Sequence, residues 1–193
     1  SLDSYSSNGF ASSLDGSGVA YVHDSSNNRL LLLDVCDEEL TELGETGVGN
    51  TCGIAFGPDG ELYGVDTAND TLVLYDTSDG SATEVGDLGF DLQNCALTYD
   101  CAADTLVGMQ VDTSDNTGLL FSIDASTGAA TEEVALDTSV TWTSAGLQYD
   151  PPTGMYYAST GEGIFEVDIA DGSATEVIDL SVNNLTYIVD ECE

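Results

Sequence analysis

His23 is the one histidine of a 193-residue chain that has no lysine and a single arginine, Arg29. General acid–base work near neutral pH falls most often to histidine, and Schiff-base or activated-amine chemistry needs a lysine. His23 closes the stretch Val19-Ala20-Tyr21-Val22, where it reads as a strand-end side chain. The sequence therefore assigns no catalytic residue. Thirty-six Asp and Glu guarantee close carboxylate pairs of the kind a glycosidase uses, and that abundance singles none of them out.

Metal binding is the more specific chemistry. The segments Asp24-Ser25-Ser26-Asn27-Asn28, Asp66-Thr67-Ala68-Asn69-Asp70 and Asp112-Thr113-Ser114-Asp115-Asn116 offer the hard oxygens that Ca²⁺ prefers, with Asp66, Asp70, Asp112 and Asp115 as candidate ligands. None has the DxDxDG spacing of an EF-hand loop. The same residue types build Asx turns and tolerate left-handed backbone, so a turn role stands beside the metal role. No cofactor is required by this reading, and Ca²⁺ is the one these loops would take. Two sequons, Asn69-Asp70-Thr71 and Asn184-Leu185-Thr186, mark Asn69 and Asn184 as glycosylation candidates.

Charge excludes whole classes of partner. The net charge is -35, and a phosphate backbone or anionic membrane is bound through Lys and Arg that this chain lacks. Nucleic acid is excluded. The longest aliphatic run, Leu30 to Leu33, falls far short of the roughly 20 residues that span a bilayer, which argues against membrane insertion. Nine Tyr, five Phe and one Trp provide material for a folded core. Five cysteines with no CxxC or His-rich pattern fit an oxidising, extracellular compartment. A start at Ser1 rather than Met adds the expectation of a processed export precursor or a fragment.

The elements that carry these residues follow from internal repetition. Residues 79–85 and 171–177 both read DGSATEV, and four segments align around them: RLLLLDVCDEELTEL, TLVLYDTSDGSATEV, LLFSIDASTGAATEE and GIFEVDIADGSATEV. Their shared aspartates, Asp34, Asp76, Asp124 and Asp168, are spaced by 42, 48 and 44 residues, the length of one four-stranded propeller blade. In the second unit, short runs rich in Val, Leu, Tyr and Thr alternate with Gly, Pro, Asn and Asp turns, and no window has a helical period. The expected fold is all-β: a single β-propeller domain over 1–193, with four repeats of about 42–48 residues and four antiparallel strands per blade. The blades fall near 10–50, 51–93, 94–141 and 142–182, with an extra C-terminal strand in 183–193. That extra strand, with Leu185, Tyr187 and Val189 as its assembly residues, either closes the ring within the chain or pairs with a neighbouring molecule to build a filament.

From Leu62 to Gly86 the sequence LYGVDTANDTLVLYDTSDGSATEVG resembles the blade repeats of secreted bacterial β-propellers of the lactonase-like and NHL-like group. The resemblance implies a propeller and an exported protein. Lactonase-like members hold a metal with acidic and amide side chains in the central channel, and no such set maps onto particular positions here.

Aligned on the repeat, Cys52 and Cys95 open the innermost strands of adjacent blades and are expected to pair, although equivalent side chains tend to point the same way. Cys95 and Cys101 flank a strand and stand roughly 20 Å apart, beyond disulfide reach. A second bridge is expected between Cys101 and Cys192, pinning the C-terminus and leaving Cys36 free or in an intermolecular bridge. Taken together, the residues point first to an extracellular, non-enzymatic structural or interaction protein, a self-assembling filament, matrix or surface-layer subunit that partners itself. The alternatives are a propeller that binds glycan or another small ligand, with exposed Tyr and Trp142 lining a pocket and Ca²⁺ assisting, and a metal-dependent lactonase-like hydrolase.

Overall fold

The structure, a computed structural model, describes residues 7–12 and 18–180. Residues 181–193, and with them Asn184, Leu185, Tyr187, Val189 and Cys192, lie outside the described residues.

Each repeat folds as one antiparallel sheet whose strands pair in chain order. Blade one holds β1 (Ser7–Ser12), β2 (Val19–Asp24), β3 (Arg29–Asp34) and β4 (Glu39–Glu45). Blade two holds β5 (Thr51–Phe56), β6 (Leu62–Asp66), β7 (Thr71–Tyr75) and β8 (Ala82–Asp87), with a 3-10 turn at Pro58–Gly60. Blade three holds β9 (Cys95–Asp100), β10 (Thr105–Asp112), β11 (Thr117–Ile123) and β12 (Ala130–Ala135). Blade four holds β13 (Gly146–Asp150), β14 (Met155–Ser159), β15 (Ile164–Val167) and β16 (Ala174–Ile178). The sheets are arranged as the four blades of a β-propeller, with innermost strands β1, β5, β9 and β13 packed in succession.

The charge pattern follows from this layering. Middle strands are covered on both faces, so β6 is buried along its whole length, and Leu62 and Tyr63 turn to opposite neighbours. Outermost strands present one face and one edge to water, and there the repeats spend Thr and Glu: Thr83 and Glu84, Thr131 and Glu132, Thr175 and Glu176 are all exposed. Each outermost strand also carries one extra residue, a bulge at the same place in all four blades.

Three apolar seams hold the blades together. Leu30 meets Ile54, Leu62 and Val73 between blades one and two. Leu72 and Val65 meet Leu97 and Phe121 between blades two and three. Met109, Leu120 and Trp142 meet Leu147, Tyr156 and Phe165 between blades three and four. Among the described residues no corresponding cluster joins blade four to blade one, and β13 does not pack along β1 as the other inner strands pack along their neighbours.

The repeated DG dipeptide has a structural purpose at these seams. Gly80, in the turn before β8, has φ +81° and lies against Gly44 of the preceding blade, so a Cβ there would stand 2.8 Å from the Gly44 nitrogen. Gly128 and Gly172 repeat the contact against Gly86 and Ala135. The backbone bond from Ala82 N to Thr46 O (3.0 Å), echoed from Ala130 N to Leu88 O (3.1 Å), locks the clasp.

Cys52 and Cys95 form a disulfide with a Cα–Cα distance of 5.2 Å, tying β5 to β9. The reservation about parallel side chains is resolved by a bulge: pairing of β5 with β6 skips from Thr51 to Gly53, so Cys52 is the extra residue, whereas β9 pairs with β10 without a break.

Candidate functional site

His23 is the penultimate residue of β2 and is completely buried, at the seam between blades one and two. Its Nε2 lies 3.4 Å from Thr46 Oγ1, and its ring tilts against Tyr75 with centroids 6.2 Å apart. Tyr75 in turn shares a 2.8 Å hydrogen bond with Thr51. Burial holds the imidazole below its ordinary value of 6.5, against the opposing pull of Asp24 and Asp66. The result is a neutral ring packed between blades, a structural element with no face offered to a substrate.

A pH dependence follows from that burial. A histidine whose folded pKa is depressed is most compatible with the fold above the unfolded value, and it costs stability as pH falls below about 6.5. Urea midpoints at pH 7.5, 6.5 and 5.5 should therefore decline, by at most about 1.4 kcal/mol per pH unit. A His23→Leu variant should be flat over the same window. The turn aspartates with depressed pKa, such as Asp76 and Asp124, contribute stability that is lost only as pH falls below their ordinary 3.8. An equal slope in both proteins would show that His23 is not the titrating group.

The single cation is also consumed inside the fold. Arg29 pairs with Glu42 and lies 3.4 Å from the wholly buried Asp24, whose Oδ1 and Oδ2 also accept from Ser26 N (3.0 Å) and Asn27 Nδ2 (2.8 Å). A buried carboxylate needs such partners.

The candidate metal ligands are engaged in the same way. Asp66 accepts the amide of Ala68 at 2.9 Å and the side-chain amide of Asn69 at 2.7 Å. Asp70 takes up left-handed backbone (φ 54°) and accepts the amide of Leu92 at 2.8 Å, linking the turn to the crossing toward blade three. Asp112 accepts both the amide (2.8 Å) and hydroxyl (2.6 Å) of Ser114, and Asp115 accepts the hydroxyl of Thr117 at 2.9 Å. Those serine bonds hold the Asp112 carboxyl below the usual carboxylate range. The four lie in Asx-type turns, and among the described residues no three Asp, Glu, His or Cys gather into a group able to hold a metal. Asn69 is exposed in its turn.

The shared aspartates of the repeat are turn acceptors as well. Asp76 and Asp124 each accept the serine two residues on at 2.8 Å through its amide and 2.6 Å through its hydroxyl. Asp168 accepts Ala170 N at 2.8 Å, and Asp34 accepts Cys36 N at 3.0 Å.

Two cysteine assignments are corrected. Cys101 is a free thiol, exposed, so the bridge expected from it to Cys192, which lies outside the described residues, does not form. Asp100 accepts the amides of Ala102 and Ala103 (2.8 and 2.9 Å), which folds the turn with Cys101 at its solvent-facing corner. Cys36, expected to be free or intermolecular, is not free: it is disulfide-bonded.

Trp142 is corrected too. It is completely buried in the seam between blades three and four, its Nε1 donating to Asp137 O at 3.0 Å and its ring 5.8 Å from Phe165. Among the described residues each tyrosine is buried or half-buried.

One surface feature lies outside the sequence-based expectations. Val177, Ile178 and Leu180 are 50%, 48% and 54% exposed, at the end of the outermost strand of blade four. Ile178 pairs with Ile164 at the register where Gly44 pairs with Leu30 and Gly86 with Leu72. Where the second repeat reads TEVGD the fourth reads TEVID, so the signal is present in the repeats themselves.

No family model and no curated protein matches the chain. Solved structures do, and the neighbours are β-propeller proteins of low identity. A chain in the crystal structure of a nidogen/laminin complex superposes with a TM-score of 0.72 at 14% identity, over 95% of this chain and 69% of that one. The PQQ-bound aldose sugar dehydrogenase of Streptomyces coelicolor follows at 0.59 and 17%, over 91% and 60%. The extracellular domain of a hybrid two-component system from Bacteroides thetaiotaomicron gives 0.52 and 17%, over 91% and 23%. The chain thus spans less than two thirds of the latter two, and the likeness is one of fold.

Proposed function

We propose that the protein is a non-enzymatic structural or interaction module of the extracellular space that assembles with further copies of itself through the outer strand of its fourth blade. The observation that carries this reading is the apolar edge at Val177, Ile178 and Leu180. β16 is an edge strand, with one row of backbone groups unpaired within its sheet, and such an edge is a template for another strand. The equivalent strands β4, β8 and β12 end in Gly44-Glu45, Gly86-Asp87 and Val134-Ala135, and the first three blades meet a following blade at that point. Blade four carries instead the apolar side chains an intermolecular contact would bury. Symmetric pairing of two β16 strands gives a dimer, and head-to-tail contact gives a filament.

Support for the extracellular setting comes from the disulfides, which persist in oxidising compartments. Support for a non-catalytic role comes from the internal use of His23, Arg29 and the turn aspartates. The charge of -35 opposes association, so salt or Ca²⁺ should strengthen it.

Sedimentation velocity over a concentration series in 0.15 M salt tests the reading, comparing the native chain with a Val177→Glu/Ile178→Glu variant. The native protein should self-associate, and the variant should need at least about tenfold higher concentration to do so, as expected for losing two buried apolar side chains at a contact. Native protein that stays monomeric throughout, or a variant that assembles equally well, overturns it.

A further inference from the structure

We infer that the β16 edge pairs with the β16 edge of a second copy about a two-fold axis, so that assembly stops at a dimer. The inference rests on the self-assembly reading above and names the surface that meets the apolar edge.

The first observation is how one blade receives the next. At each of the three apolar seams, the left-handed residue of the turn before the outermost strand is a glycine held against the outer strand of the preceding blade. A Cβ at Gly80 would stand 2.8 Å from Gly44 N, one at Gly128 2.5 Å from Gly86 O, and one at Gly172 2.0 Å from Ala135 O. These neighbours are backbone atoms and cannot swing aside, so a seam of this kind needs glycine in the turn. In blade one the same position is Glu38, exposed and with φ 54°. Its turn therefore cannot receive an outer strand as its three siblings do. A filament that repeats the seam between copies, blade one of one seated on blade four of the next, meets the Glu38 side chain at the point of closest approach.

The second observation is on the outer strand. After the bulge, Gly44, Gly86, Val134 and Ile178 share one register position, opposite Leu30, Leu72, Leu120 and Ile164. Val134 packs against the cluster that blade three shares with blade four, so a β-branched side chain here is compatible with a covering neighbour. The obstacle to a head-to-tail contact lies on blade one, while the edge of blade four keeps an exposed apolar contact in Val177, Ile178 and Leu180.

The third observation is charge. Asp37, Glu38 and Glu39 are exposed in blade one's turn, and Glu176 and Asp179 are exposed beside the apolar edge. The chain has no lysine, and its one arginine pairs with Asp24 and Glu42, so setting turn against edge brings like charges together. Two β16 edges instead bring apolar side chains onto apolar side chains. With the axis at Val177, antiparallel pairing sets Glu176 opposite Ile178 of the second copy, which avoids the like-charge pair that an axis at Glu176 would create. Such a contact is isologous: the same edge is used on both copies, and none is left to add a third.

Two measurements on the full-length chain test the pairing. Sedimentation velocity at rising concentration should reach a plateau at twice the monomer mass. In a Cys101→Ser background, which removes the exposed thiol, Val177→Cys places a thiol at the axis. Oxidised glutathione, itself reduced to two thiols as the new disulfide forms, should convert that variant to a covalent dimer. The Cys101→Ser chain with Val177 intact is the blank, and adding Ile178→Glu to the cysteine variant should slow the linking at least about tenfold. Growth beyond two chains, or a Val177→Cys chain that links no faster than the blank in a solution where it has assembled, overturns the two-fold pairing and leaves self-assembly standing. A native chain that stays monomeric at every concentration overturns both.

Discussion

Gly80→Ala should lower Tm by about 10 °C, while Gly60→Ala lowers it by about 3 °C. Both glycines have a positive φ, +81° and +75°, so both substitutions incur the left-handed penalty of roughly 1–2 kcal/mol. They differ in what a new methyl group meets. Nothing lies within 4 Å of a Cβ at Gly60, whereas at Gly80 it would stand 2.8 Å from the nitrogen and 2.9 Å from the oxygen of Gly44. Backbone cannot rotate out of the way as a side chain can, so blades one and two must part or the clasp bond from Ala82 N to Thr46 O must lengthen. We expect about 3 kcal/mol for Gly80→Ala, of which about 1 kcal/mol is conformational. Thermal unfolding of the two variants side by side isolates the seam contact. Equal losses would mean that the repeated glycines serve turn conformation alone.

Trp142→Ala should cost about 3–5 kcal/mol, more than any other single substitution named above. The indole is completely buried between Met109, Leu147 and Phe165, and its backbone amide reaches back to Asn116 O at 3.2 Å. Removing it leaves a cavity in the seam and the Asp137 carbonyl without its indole donor. A Trp142→Phe variant keeps much of the volume and should lose about half as much. Denaturant unfolding of both variants provides the check. A Trp142→Ala protein of native stability would mean the ring lies at a surface, as a sugar-binding platform would require.

Much of the architecture is legible in the sequence because it is local and repeated. The aspartates spaced by 42, 48 and 44 residues each receive the amide two residues on, a bond that depends on the tetrapeptide itself. The DG dipeptides announce turns for the same reason, although their contact with the preceding blade is tertiary and leaves no trace beyond the glycine. Alignment puts Cys52 beside Cys95 but cannot orient the sulfur, because one bulged residue in β5 reverses the direction of everything after it. Cys36 and Cys101 both sit at polar turns, and nothing in their flanks tells which is bonded. Trp142 misleads for a different reason: an indole between Thr141 and Thr143 looks like a loop residue, and only the neighbouring blade supplies its cover. Ile178 becomes visible once TEVID is set against TEVGD, where isoleucine replaces a clasp glycine.

The candidate site divides along the same line. His23, Arg29 and the turn acids are the residues that suggest chemistry when read as composition, and each is used within its own blade or seam. What distinguishes this surface is where apolar side chains depart from the repeat, at the outer edge of blade four.

Hydrogen exchange along β16, followed at low and high protein concentration, decides whether that edge is the assembly contact. Edge-strand amides in monomers exchange readily because part of their row faces water, and an intermolecular strand would shield them. Ala174 to Ile178 should gain protection as concentration rises, by tenfold or more, while β4, β8 and β12 keep the rates they have when dilute. Exchange in β16 that is the same at every concentration, in a solution where the native protein has assembled, would place the contact elsewhere and contradict assembly through blade four.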